Sequence, residues 1–433
     1  MGGSIGFENN NIFTTADYYA AGSITGSGLE EITNTDSVGV VSAGTVSGAY
    51  TVSSTASTLA VQAPGAETIT GSSTTGVAIF GSNSSVNYTV VNPASGSIFA
   101  AGGADEITLL SSAVPNVSNP LKTVSSPNAE TVYAAGQDTI NLYGQGNDFV
   151  SLTGASSVRV DIQDANATVV ASGTVATNVY WSGPAAGGSL DFINNSTDTA
   201  FIQVPVFPVT VNGVRQYVSA ENHVTAFGGA GGGEFIGGQG GNNSLIGGSG
   251  VVSLIGGGQG DFLQAQGSVG AGNVNDFMAG SGSETMIATA GTYNNLFGAG
   301  VNYPGLGAPA ANGLISTDGA GAQNYFLGNA GVVTIDASTV STATNTFYVV
   351  SNSSVGGGTF DIYNFSGNST INLTNNNSFG ASTASISGIK ADPFNANNSI
   401  IGLSDGTRIE LFGVSASSLT TVSGGTTGMT KIF

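Results

Sequence analysis

Between residues 227 and 336 glycine recurs with a period near nine. Aligned on their glycines, the segments read GGAGGGEFI (228–236), GGSGVVSLI (247–255), GGGQGDFLQ (256–264), AGSGSETMI (279–287) and GNAGVVTID (328–336). A ten-residue variant, GGQGGNNSLI (237–246), lies between the first two. Looser copies are GNVNDFMAG (272–280) and GAGAQNYFL (319–327), and an isolated one, GQGNDFVSL, sits at 144–152. Glycine lets the backbone turn tightly through conformations closed to other residues. The two or three apolar-polar residues that follow are too few for a helix and suffice for a short strand. One such unit cannot bury its apolar side chain, but a stack of them can, so the period predicts a solenoid.

The consensus of these segments is G-G-x-G-x-D-x-U-x, with U a large apolar residue. It resembles the RTX, or hemolysin-type, family of calcium-binding repeats exported by type I secretion. That resemblance implies a parallel β-roll with calcium held between successive turns, because calcium takes 6–8 oxygen ligands at flexible geometry. The carboxylate place of the consensus is filled here by Gly233, Asn242, Val252, Asp261, Glu284 and Val333. Asp276 and Asp148 fit the same role in the less regular copies. The metal ligands the resemblance implies are therefore Asp261, Asp276, Glu284 and Asp148, with turn carbonyls such as those of Gly258 and Gly282. Two of six carboxylate places are kept, so the calcium sites expected are few and weak, or none.

Outside this region the chain reads as strands and turns. Up to about residue 220 an acidic residue repeatedly precedes a β-branched pair, as in Glu31-Ile32-Thr33, Glu106-Ile107-Thr108 and Asp138-Thr139-Ile140. Polar turns recur every 8 to 12 residues or so, the spacing of sandwiches, barrels and solenoids. Pro205 and Pro208, within AFIQVPVFPVTV (200–211), mark an edge strand or a junction. Near the end, Asp405-Gly406 between two apolar runs predicts a hairpin. The stretch IGLSDGTRIELFGV (401–414), followed by Ser and Thr and a short apolar tail, looks like the uncleaved end of type I secretion substrates. The expected organisation is all-β: irregular β-solenoid or stacked-sheet units over 1–220, a glycine-rich RTX-like parallel roll over 221–345, and a C-terminal β region over 346–433.

Composition narrows the function. Charged residues make up 7% of the chain, and 26 acidic against 6 basic residues give a net charge of −20. The basic residues are scattered and form no patch for nucleic acid. The absence of cysteine excludes disulfides and thiolate chemistry. No apolar run approaches the roughly 20 residues that span a bilayer, and MGGSIGFENNNIF has neither the basic nor the apolar part of a secretory signal. Neither HExxH nor GxSxG occurs, and the single histidine, His223, has no evident catalytic partner. These features predict a secreted, non-enzymatic structural protein at the cell surface or outside the cell, assembling with copies of itself into a filament or surface layer. An adhesin for carbohydrate or abiotic surfaces is the alternative, and a polysaccharide-active β-helix enzyme a more distant one. The expected partners are copies of itself and cell-surface polysaccharide, with no nucleic acid and no membrane span.

Overall fold

In a computed structural model the described residues form strands from Gly3 to Ile432, with a 3-10 turn at Ala416–Ser418. Side chains are described for 106–108, 131–134, 137–142, 147–154, 157–163, 166–181, 188–204, 222–267, 272–280, 282–300, 312–328, 331–349, 357–373, 385–422 and 432–433. No described helix is long and apolar enough to cross a membrane. The chain divides into two compact units, Met1–Ala220 and Glu221–Phe433.

Both units are parallel β-solenoids of one design. Most strands pair in parallel with the next strand but one, so successive strands feed two sheets in alternation, and the long strand Asn166–Ser182 serves both sheets. In the first unit Val38–Ser42, Thr58–Ala63, Gly76–Gly81 and Ser95–Phe99 follow one another in one sheet. Gly48–Val52, Glu67–Thr70, Asn87–Val91 and Glu106–Leu110 form the other. Where side chains are described, alternation decides what is inside. Strand Asn147–Leu152 alternates from exposed Asn147 to buried Leu152, and Val132, Ile140, Leu142, Val160, Val169, Phe192 and Trp181 are fully enclosed. Phe207–Val211 and Val214–Val218 leave this order as a separate antiparallel hairpin. Pro208 lacks the N–H a central strand needs, and a two-stranded ribbon tolerates it.

In the second unit the nine-residue period is half a coil. Thr225 pairs with Ser244, and Ser244 with Phe262, in one sheet. Gly233 pairs with Val252 in the other. Consecutive glycine segments therefore supply the two sheets in turn, and two segments close one coil. The glycine turns stack on one another: a Cβ on Gly257 would lie 2.2 Å from the carbonyl oxygen of Gly238, and one on Gly248 2.3 Å from that of Gly228. No side chain fits that approach. Inward columns run along each sheet. Ala226, Leu245, Leu263, Met286, Ile315, Ile335 and Ile362 form one, all buried. Phe277, Phe297, Tyr325 and Phe347 form another, with rings stacked at centroid distances of 4.8, 5.3 and 4.5 Å. Strand Thr344–Val349 continues this column from Phe347 to buried Ile371.

The parallel order ends in an antiparallel cap. Arg408–Leu411 pairs in parallel with Thr359–Tyr363 and antiparallel with Ser399–Leu403. Ser399–Leu403 in turn pairs antiparallel with Ile386–Ala391. Thr430–Ile432 does the same for the other sheet, against Ser369–Leu373. The hairpin expected at Asp405-Gly406 is present: Gly406 has φ +90°, and the Leu403 N–H donates to the Thr407 carbonyl at 2.9 Å.

Candidate functional site

The carboxylate place of the repeat is the first inward position of each strand, and register shows what fills it. In one sheet the column is Val224, Asn243, Asp261, Glu284, Gly313 and Val333. In the other it is Gly233, Val252, Asn275, Asn295, Gln323, Asn345 and Ser369. Two of the expected positions shift. Asn242 is not in the column: the ten-residue variant inserts one residue, which Asn242 absorbs at φ +51°, and Asn243 takes the inward place. Asp276 is likewise one residue out of phase. Its strand alternates so that Asn275 points in, while Asp276 faces outward and half-buried. Asp148 is buried and inward in the first unit, in a different stack from the rest.

Of the six residues expected to hold calcium, the structure thus brings together Asp261 and Glu284, with Gly258 and Gly282 in the adjoining turns. The Asp261 side chain is committed. Its Oδ1 accepts from the backbone N–H and the side-chain amide of Asn243, both at 2.8 Å, and its Oδ2 accepts from the Gly257 N–H at 2.8 Å. One coil earlier the Asn243 amide does the same work: its Oδ1 accepts from Val224 N at 2.8 Å and Gly238 N at 2.9 Å. Asn243 and Asp261 each tie their own glycine turn to the strand of the preceding coil. What the two share is an acceptor oxygen, not a charge. In the second column the same bridging is amide to amide, Asn275 to Asn295 at 3.1 Å and Asn295 to Gln323 at 2.7 Å. Nothing in the repeat consensus pointed to these amides. Asn or Gln two residues before an aromatic, as in Asn275/Phe277, Asn295/Phe297, Gln323/Tyr325 and Asn345/Phe347, would have been the signal.

Glu284 differs. It is 2% exposed, and neither carboxylate oxygen has a hydrogen-bond partner. A Cβ on Gly256 would stand 2.9 Å from Asp261 Oδ2 and 3.2 Å from Glu284 Oε2, so both acids reach the same side of that glycine. Burial, and secondarily the neighbouring Asp261 charge, push Glu284 up to about 9. Burial raises Asp261 too, against the opposing pull of its Asn243 and Gly257 hydrogen bonds. At neutral pH Glu284 is held as the neutral acid unless a cation stands beside it. A calcium ion here would find two free oxygens on Glu284 and little on Asp261, whose lone pairs already face N–H donors. The carbonyl oxygen of Gly258 lies 2.8 Å from where a Gly280 Cβ would be. This donor set falls short of the 6–8 oxygens of a strong calcium site.

Among the described residues no group of three or more His, Asp or Glu converges as a metal cluster. His223 is exposed, and its Nδ1 hydrogen-bonds to the Gly241 carbonyl, a contact between turns of adjacent coils. Taken together, fold and ladder define an all-β parallel solenoid with two sheets per coil and an internal column of amides and acids. Comparisons with protein-family models, with curated proteins and with solved structures found no match to this chain.

Proposed function

We propose that this chain is an extracellular structural protein that self-assembles into a filament or surface layer. The observation that supports this best is the ladder itself. At Asn243, Asp261, Asn275, Asn295 and Asn345 the inward polar residues spend hydrogen bonds tying coil to coil. Polar groups used in this way make a self-supporting stack of coils, whereas a catalytic site would aim them at a cleft. The low charge of the outer surface agrees with the reading, since edge and surface charges are what usually keep β proteins apart. Export directed by the C-terminal segment, as in the RTX family, belongs to the same proposal. Calcium has a limited part in it: Glu284, with the remaining lone pair of Asp261, would take one ion weakly, in the range of about 10⁻⁴ to 10⁻³ M typical of extracellular modules.

Negative-stain electron microscopy of the purified full-length chain, with millimolar calcium and with chelator, tests the proposal. Regular filaments or sheets are expected. Particles that stay single under both conditions would overturn self-assembly and favour the adhesin.

A further inference from the structure

The cap differs from the rest of the molecule in charge. Residues 362–433 contain three basic side chains, Lys390, Arg408 and Lys431, and three acidic ones, Asp392, Asp405 and Glu410. The whole net charge of −20 therefore lies on residues 1–361. Contact between two caps brings together segments with no net charge, while contact between residues 1–361 of two copies brings together segments that carry the whole −20.

The cap also carries a projecting aromatic. Phe394, in the loop between Ile386–Ala391 and Ser399–Leu403, is 97% exposed. Its loop is not slack. The Phe394 N–H donates to Asp392 Oδ1 at 3.1 Å, Asn397 N–H to Asn395 Oδ1 at 3.1 Å, and Asp392 N–H to the Asn398 carbonyl at 3.1 Å. Asn398, at the loop's end, accepts from Gly413 N–H at 3.0 Å and so ties the loop to the segment after the last strand. A phenyl ring held in water on a fixed loop has the properties of an interface anchor, because little further ordering is lost when it docks.

Near it lies an open cleft of about 610 Å³, lined by Phe365, Asn397, Val414, Ser418, Leu419 and Phe433. Asn397 belongs to the loop that carries Phe394, so anchor and cleft share one end of the unit. The strand edges of the cap are poor templates for sheet continuation: Ile386–Ala391 is broken by a register shift and carries Lys390, and Thr421–Ser423 has three residues.

We propose that two copies of this chain associate cap to cap, each inserting Phe394 into the Phe365–Leu419–Phe433 cleft of the other. The contact is isologous: one patch meets itself, and two anchor-cleft contacts form per pair. It rests on the self-assembly reading only in taking a second copy as the occupant.

Sedimentation velocity of the full-length chain in chelator tests it. Wild type is expected to dimerise, and Phe394→Ser and the cleft-filling Ser418→Trp are each expected to weaken the dimer at least tenfold. An equimolar mixture of the two variants retains one intact anchor and one open cleft, so it should recover part of the dimer that neither forms alone. A monomeric wild type, a Phe394→Ser chain that dimerises like wild type, or a mixture with no recovery would each overturn the proposal. So would a monomer whose Phe394 is protected by added polysaccharide. Microscopy separates this outcome from the broader reading. Filaments that form unchanged from Phe394→Ser overturn the cap contact and leave assembly standing. Dimers without larger assemblies overturn filament formation and leave the cap contact standing.

Discussion

At Asp261 the side chain accepts three N–H hydrogen bonds, and Asn243 one coil away serves the equivalent amides without a charge. Asp261→Asn keeps one acceptor oxygen and turns the other into an NH2 donor, so it should cost less than removal of the whole side chain, about 1–2 kcal/mol. Asp261→Ala leaves buried amides unpaired and should cost about 1–3 kcal/mol for each one orphaned. Urea titration followed by circular dichroism measures both, and an equal loss in the two variants would show that the charge matters. Glu284 has the opposite balance. Its folded-state value of about 9 stands well above 4.5, so the folded form holds a proton that the unfolded form releases. Its contribution is intact below about pH 4.5 and is lost as pH rises towards 9. Glu284→Gln keeps the neutral state at every pH, so in chelator its melting temperature should exceed wild type by a few degrees at pH 8 and converge with it near pH 4. Calcium should raise the wild-type melting temperature slightly and leave Glu284→Gln unmoved.

At the scale of the element, close stacking makes some positions intolerant. Gly241 has φ +72°, and a Cβ there would lie 2.1 Å from the Gln259 carbonyl oxygen. Gly241→Ala should destabilise by about 2–4 kcal/mol, combining left-handed strain with overpacking. Phe297 stands between Phe277 and Tyr325 in the ring column, and Phe297→Ala should cost about 3–5 kcal/mol. Both losses would appear as earlier melting of the second unit, read by hydrogen exchange at strands Val274–Met278 and Ala322–Leu327. The nine-residue period was legible as a stacking repeat because glycine spacing is set by backbone contact, which tolerates no substitution; that it is half a coil follows only from the register. The inward register was not fully legible. Asn242 and Asp276 fit the consensus by spacing alone, yet a one-residue insertion moved the inward place to Asn243, and strand alternation gave it to Asn275. A shift of one residue turns every side chain of a strand to the other face, so a single degenerate glycine is enough to mislead. The amide column of Asn295, Gln323 and Asn345 had no signal in the repeat, because its hydrogen bonds join residues 20 and more apart in sequence.

At the scale of the molecule, charge should control assembly. The surface carries few groups of either sign, and 26 of the 32 charged residues are acidic, so long-range repulsion opposes contact between copies. Screening shortens that repulsion from about 30 Å at 0.01 M salt to about 8 Å at 0.15 M. Lowering pH towards 4 removes much of it at source, since ordinary Asp and Glu titrate at about 3.9 and 4.3. Divalent cations act in a third way, by bridging carboxylates of neighbouring copies. Growth should accordingly be slow in low salt with chelator, faster at physiological salt, and fastest with millimolar calcium or in mild acid. The neutral cap separates two stages of this process. Cap-to-cap dimers, which bring no net charge together, should form with little dependence on salt, while larger assemblies, which must bring residues 1–361 into contact, should depend on it steeply. Light scattering across a salt, calcium and pH series, with sedimentation velocity at each point, distinguishes the stages. Dimer and polymer rising in parallel with ionic strength would mean that acidic surfaces take part in the first contact. A dimer constant across the series, followed by a salt-dependent polymer, would place the first contact at the cap and the second along the acidic coils.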